Sequence, residues 1–250
     1  MKLSVKRRIT RTLLAVLFWL VLWQVLSAII AKPLLLPAPK DVFKRLCELI
    51  CTGEFWHYTL LSLARICAGI ACAVIIGIIL AVLTCRFSLL DALFSPVMTV
   101  IKTTPVASFV VLVLIWIARD CVPVLISALM VLPVIWANVS AGIHGTDPQL
   151  LELARAYNFS KFKTARAIYI PSVMPHFRSA CRSAFGFGWK AGIAAEVLTV
   201  PRESIGRMIY ESKLYLQTTD LFAWTLTVII LSLLLEKAVL RLIGGGDANA

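Results

Sequence analysis

Apolar residues in this chain gather into six runs, near residues 12–31, 58–85, 93–118, 121–143, 177–200 and 221–243. A helix needs about 20 mostly apolar residues to cross the hydrocarbon core of a bilayer, so each run predicts a transmembrane helix. The first and fourth runs carry no charge, and the second carries only Arg65. The third contains Pro96, Lys102 and Pro105 and is expected to begin irregularly. The fifth is interrupted by Arg178, Arg182, Lys190 and Glu196 and is the least apolar. The sixth ends in Glu236, Lys237 and Arg241, whose stems can reach the headgroups. Between the first two runs, residues 39–55 read as an amphipathic helix lying on the membrane surface. The fold class is therefore all-α: one transmembrane domain over residues 12–243, after a basic segment 1–11 and before a glycine-rich flexible tail, 244–250.

Composition removes the soluble alternative. Hydrophobic residues make up 60% of the 250 positions, charged residues 15%, and mean hydropathy is +0.90. No soluble domain of this size hides that much apolar surface. The net charge of +12 fits topology better than nucleic acid. Lys2, Lys6, Arg7, Arg8 and Arg11 form an acid-free start before the first run, which is too long for a signal-peptide core. With the N-terminus inside, most basic residues outside the spans fall on the inner side, and six spans return the C-terminus there too. The expected location is a multi-pass cell membrane protein with both termini cytoplasmic. The seven cysteines include no CxxC pair, and His57, His144 and His176 are scattered, so no metal site is expected.

Small residues recur every four positions on two spans: Gly69, Ala73, Gly77 and Ala81 on the second; Ala184, Gly188 and Gly192 on the fifth, where Glu196 continues the row. Such rows let membrane helices approach closely. They suit packing within one subunit, or a dimer interface or moving surface. Arg65, Lys102, Lys190 and Glu196 are intramembrane charges, which are costly and suggest function. Lys102 or Lys190 could lend positive potential to an anion pathway; charges at span ends met by water or lipid are the plainer reading.

The polar segment 144–176 has its own order. Asp147 is placed to cap a helix whose first turn holds Pro148. Leu150, Leu151, Leu153, Ala154 and Tyr157 supply apolar contacts, with Glu152 and Arg155 polar between them. Asn158 tolerates the left-handed conformation that ends helices, and Ser160 can cap a second helix running toward Ile168. Pro171 disfavours helix at Ile170, and Pro175 follows. The segment predicts a short, stiff helix–turn–helix tied to the membrane at both ends.

That segment resembles the signature of integral-membrane permeases in ATP-binding-cassette importers: Glu-Ala-Ala, three residues, Gly, nine residues, Ile-x-Leu-Pro. Here Glu152-Leu153-Ala154 is followed by Arg155, Ala156 and Tyr157, then Asn158, then nine residues beginning Phe159-Ser160, then Ile168-Tyr169-Ile170-Pro171. Every spacing agrees, while Leu153, Asn158 and Ile170 replace Ala, Gly and Leu. Leu36-Pro37-Ala38-Pro39, Ser62-Leu63-Ala64-Arg65 and Ala194-Ala195-Glu196-Val197 resemble the nitrate/sulfonate/taurine-like branch. The resemblance implies a type I importer permease fold and a homodimer of permeases. It also implies a cytoplasmic ATPase dimer binding ATP and Mg, an extracytoplasmic substrate-binding protein, and a prokaryotic inner membrane. It makes the helix around Glu152–Ser160 the coupling helix. The implied substrate is a small anion, with a pyrimidine or vitamin precursor as the rival.

No catalytic residues are expected in the chain itself. Gly186-Phe187-Gly188-Trp189-Lys190-Ala191 only superficially approaches a phosphate-binding loop, lacks the Ser or Thr after lysine, and falls inside a span. An ion-coupled secondary transporter or channel is the competing function, motivated by Lys190 and Glu196; the missing inverted repeats oppose it.

Overall fold

The computed structural model describes residues 2–243, so the glycine tail lies outside the described residues. Helices α1 (Lys2–Ile30), α2 (Pro39–Ile50), α3 (Gly53–Arg86), α4 (Ser88–Thr103), α5 (Val106–Val113) and α6 (Val122–His144) come first. Then follow α7 (Pro148–Ala156), α8 (Lys161–Thr164), a π turn (Ala165–Tyr169), α9 (Ile170–Thr199), α10 (Ile205–Leu214) and α11 (Thr218–Ile243). The described residues contain no strand.

Four of these helices are long and apolar enough to cross a bilayer, within α1, α3, α6 and α11, and the bent pair α4–α5 makes a fifth. Six were expected. The difference is α9, which has the length at 30 residues but carries four charges along it. The third span also breaks elsewhere than expected. It starts as regular helix at Ser88, keeps Pro96 inside, and turns by 105° at Thr104-Pro105. Pro105 has no N–H to continue the ladder and holds the preceding residue extended, at ψ 130°.

The core is a three-helix stack of α3, α6 and α9, built on Ile66, Ile70, Val131, Ile135, Ala184 and the fully buried Trp189. Trp189 buries a large ring and still donates its indole N–H to the Val228 carbonyl of α11 at 3.3 Å. Both small-residue rows close contacts within this chain. A Cβ on Gly69 would strike the Val124 carbonyl of α6, and one on Gly77 would lie 3.0 Å from Ile135. On α9, Gly188 abuts Ile70 and Val131, and Gly192 abuts Ile66 and Ser127. Ala73, Ala81 and Ala184 are buried in the same seams.

The amphipathic segment forms as α2, ending at Ile50, with Val42 and Leu46 buried. Arg45 clamps it to α11 through two N–H donations to Asp220, at 2.7 and 2.9 Å. In contrast α1 stands to one side, its residues from Thr10 to Trp19 exposed, tied by Trp23 Nε1 donating to the Pro37 carbonyl at 3.1 Å.

Candidate functional site

Three groups of residues rise above packing: the polar elbow after α6, a buried joint between α3, α9 and α10, and a cleft beside the α4–α5 break.

The elbow is built by capping at each of its corners. Asp147 Oδ1 accepts the Gln149 N–H at 2.9 Å, and Pro148 fills the first turn of α7. The far end closes as a Schellman motif, with the Phe159 N–H donating to the Ala154 carbonyl and the Asn158 N–H to that of Arg155. Asn158 takes the left-handed conformation this requires, at φ 50°. Ser160 then caps α8 by accepting the Lys163 N–H at 3.3 Å, and the Lys163 ammonium lies 4.0 Å from the centre of the Phe159 ring.

Ala154 and Ile168 are buried and hold the elbow to the bundle. Gly142, where a Cβ would lie 3.0 Å from Val173 Cα, lets α6 and α9 meet directly behind it. The outer edge is different. Leu153 is 52% exposed, Tyr157 71% and Phe162 75%, around Glu152, Arg155 and Ala156, which are also exposed. Neither Glu152 nor Arg155 makes an ion pair with a described residue. These exposed apolar side chains stand among exposed polar ones on an elbow whose corners are capped.

One expectation about the elbow is corrected. The second helix does not stop near Ile168, because the π turn carries the chain straight into α9, whose first turn holds Pro171 and whose interior holds Pro175. A π turn admits one extra residue, and such widenings serve helices that must accommodate an interruption. The fifth helix thus begins at Ile170 rather than at 177, and the elbow is continuous with it.

The buried joint centres on Glu196, which has no exposed surface. Its Oε2 accepts from the Ser62 hydroxyl at 2.8 Å and from the Gly206 N–H at 3.2 Å, while Ser62 accepts the Ile205 N–H at 2.9 Å. Arg65 approaches the other oxygen only to 3.8 Å and gives its N–H groups to the carbonyls of Arg202 and Glu203. A buried hydrogen bond is worth roughly 0.5–1.5 kcal/mol net and costs more when one partner is orphaned, so the two that Oε2 accepts, rather than the long ion pair, hold the joint. The two stretches Ser62–Arg65 and Ala194–Val197, remote in sequence, meet here. Gly206 was not foreseen: a Cβ there would collide with Glu196. Its only sequence signal is the capping residue Ser204 two positions before it, which starts the unforeseen α10.

Lys102 and Lys190 line one cleft of about 400 Å³, with Ile101, Val106, Met130 and Phe187 among its walls. Arg65 and Glu196 lie outside it, so the four intramembrane charges divide into two separate pairs. The glycine-rich stretch around Lys190 is regular helix with Gly188 and Trp189 packed in the core, unlike the open loop that cradles phosphates.

Comparison with known proteins decides among the transport readings. The model of the binding-protein-dependent transport system inner membrane component matches residues 73–243, from the middle of α3 through the elbow to the end of α11. The chain belongs to this family. Among relatives of this permease is SsuC of Bacillus subtilis, ascribed to aliphatic sulfonates transport. It is 24% identical over 87% of the chain and 79% of the relative. The taurine transport system permease protein TauC of Escherichia coli is 23% identical over 86% and 80%. The bicarbonate transport system permease protein CmpB of Synechococcus elongatus is 26% identical over 91% and 85%. The protein is thus a multi-pass membrane permease of the ATP-binding-cassette importer class, with an all-helical fold.

Proposed function

We infer that this permease passes a small oxyanion inward across a prokaryotic inner membrane, driven by a separate ATPase that docks on the elbow. The observation that carries this reading is the exposed apolar edge of Leu153, Tyr157 and Phe162 on a doubly capped, rigid elbow. The elbow lies on the cytoplasmic face, with both termini, as the basic residues around it favour. ATP and Mg bind the partner, which hydrolyses the ATP. When the ATPase dimer closes, α7 moves with it. Because α8 and the π turn run without a break into α9, that displacement enters the three-helix core and shifts the opening from one side of the membrane to the other.

A second copy of the chain completes the pathway, and a substrate-binding protein delivers solute to the opposite face. Relatives ascribed to sulfonates, taurine and bicarbonate support an oxyanion as cargo.

The test is uptake of a labelled alkanesulfonate or bicarbonate into vesicles holding the permease, its ATPase and its binding protein. Uptake that requires ATP and all three parts is expected. Equal uptake without the ATPase, or collapse by a proton ionophore with ATP maintained, sinks the reading and favours an ion-coupled carrier.

A further inference from the structure

The cleft beside the α4–α5 break has a chemistry that packing does not explain. Lys102 and Lys190 both line it, no acidic residue does, and neither lysine bonds to any described residue. Lys190 is not at a helix end, since it stands nine residues before Thr199, the last residue of α9. Gly188 sits against Ile70 and Gly192 against Ile66, at the midpoint of the 34-residue α3, so Lys190 between them is level with that midpoint. At about 1.5 Å per residue, the nine residues from Lys190 to Thr199 span roughly 13 Å, which sets Lys190 level with the core residues Ile66 and Ile70 rather than at a helix end. A cation held there without a protein counter-charge is costly, and such a group belongs to a pathway or a ligand.

We propose that Lys102 and Lys190 form the station at which the transported oxyanion is held during passage, one ammonium from the end of α4 and one from α9 across the cleft. This rests on the importer reading above and adds the residues that select the cargo. Each ammonium offers three N–H donors to sulfonate or bicarbonate oxygens. Lysine is a compact point charge without the bidentate fork of arginine, so the grip is firm enough to admit an anion and loose enough to release it. The remaining walls of the cleft are apolar, Phe187, Met130 and Ile101 among them, and suit a short alkyl group, which favours alkanesulfonates among oxyanions. The same two lysines could meet a lipid phosphate, so the experiment separates free anion from headgroup.

The complete importer is placed in nanodiscs of phosphatidylcholine, and acylation of lysines is followed peptide by peptide. Ethanesulfonate, bicarbonate and the neutral ethyl methyl sulfone are added at equal concentration. At least one anion is expected to slow labelling of Lys102 and Lys190 together by about five-fold, as occupancy of one site demands. The exposed Lys44 of α2 and the sulfone sample are expected to show no change. Absence of protection by both anions overturns the proposal. So does protection obtained only by adding phosphatidylglycerol, which assigns the lysines to a headgroup.

In parallel, K102Q and K190Q are expected to lower ATP-driven ethanesulfonate or bicarbonate uptake by about ten-fold, as for loss of a charged hydrogen-bond partner, with K102R and K190R retaining most of it. Protection without any ATP-driven uptake defeats the importer reading and leaves the site standing. Uptake indifferent to both glutamine variants defeats the site and leaves the importer.

Discussion

Glu196 shows how little of a buried charge's worth need be charge. Its hydrogen bonds from Ser62 and Gly206 persist with any acceptor of the same shape, whereas its contact with Arg65 is long. Glu196→Gln is therefore expected to cost less than about 1 kcal/mol, and Glu196→Ala roughly 2–4 kcal/mol, since it orphans two buried donors. Unfolding of the two variants in mixed detergent micelles measures the gap, and equal losses would mean that the Arg65 pair dominates. Asn158 makes the complementary case for backbone. The left-handed residue at its position is asparagine here and glycine in the importer signature, and both meet the need. Asn158→Gly is expected to leave coupling intact, while Asn158→Val forces a β-branched residue into that conformation at about 1–2 kcal/mol. Its readout is ATP hydrolysed per solute moved, which rises if the elbow loosens and stays unchanged if Asn158 only decorates the surface.

At the scale of elements, capping chemistry was legible and continuity was not. Asp147, Pro148, Asn158 and Ser160 each act in the structure as their residue types predict, because a cap is a local event settled within four residues. The run from α8 into α9 was missed for a related reason. Proline rules govern a single turn, whereas the π widening at Ala165–Tyr169 leads into the stretch where α9 packs against α6 at Gly142, a tertiary contact that no local rule reads. The break at Pro105 instead of an irregular start near Pro96 has the same origin: two prolines carry similar local signals, and tertiary packing chooses which one bends the span. The small-residue rows were legible as seams, but not their partners, since spacing says nothing about which helix lies opposite. Removing the first cap tests the elbow as an element. Asp147→Ala is expected to destabilise α7 by about 1 kcal/mol and to speed amide exchange over Pro148–Ala156 while leaving α3 and α6 protected. Unchanged exchange in α7 would show that the ATPase, or packing at Ala154, holds this helix without its cap.

At the scale of the molecule, one stiff path joins the exposed elbow to the centre of the bundle. Leu153, Tyr157 and Phe162 sit at its outer end, α9 forms its shaft, and Lys190 and Glu196 lie on that same shaft at successive depths. A displacement at the elbow is therefore expected to reach both the Lys102–Lys190 cleft and the buried joint through α8, the π turn and α9. The central claim is that an ATPase grips this path at its end, and capture at the elbow tests it most directly. A photo-crosslinking amino acid replaces Tyr157 in the full importer within native membranes, and the products are identified by peptide mass spectrometry. The expected product joins this chain to a subunit bearing a nucleotide-binding loop, with yield that changes when ATP is trapped on the complex. A probe at Tyr157, and then at Leu153 and Phe162, that never captures such a subunit in cells producing the whole importer would contradict the account.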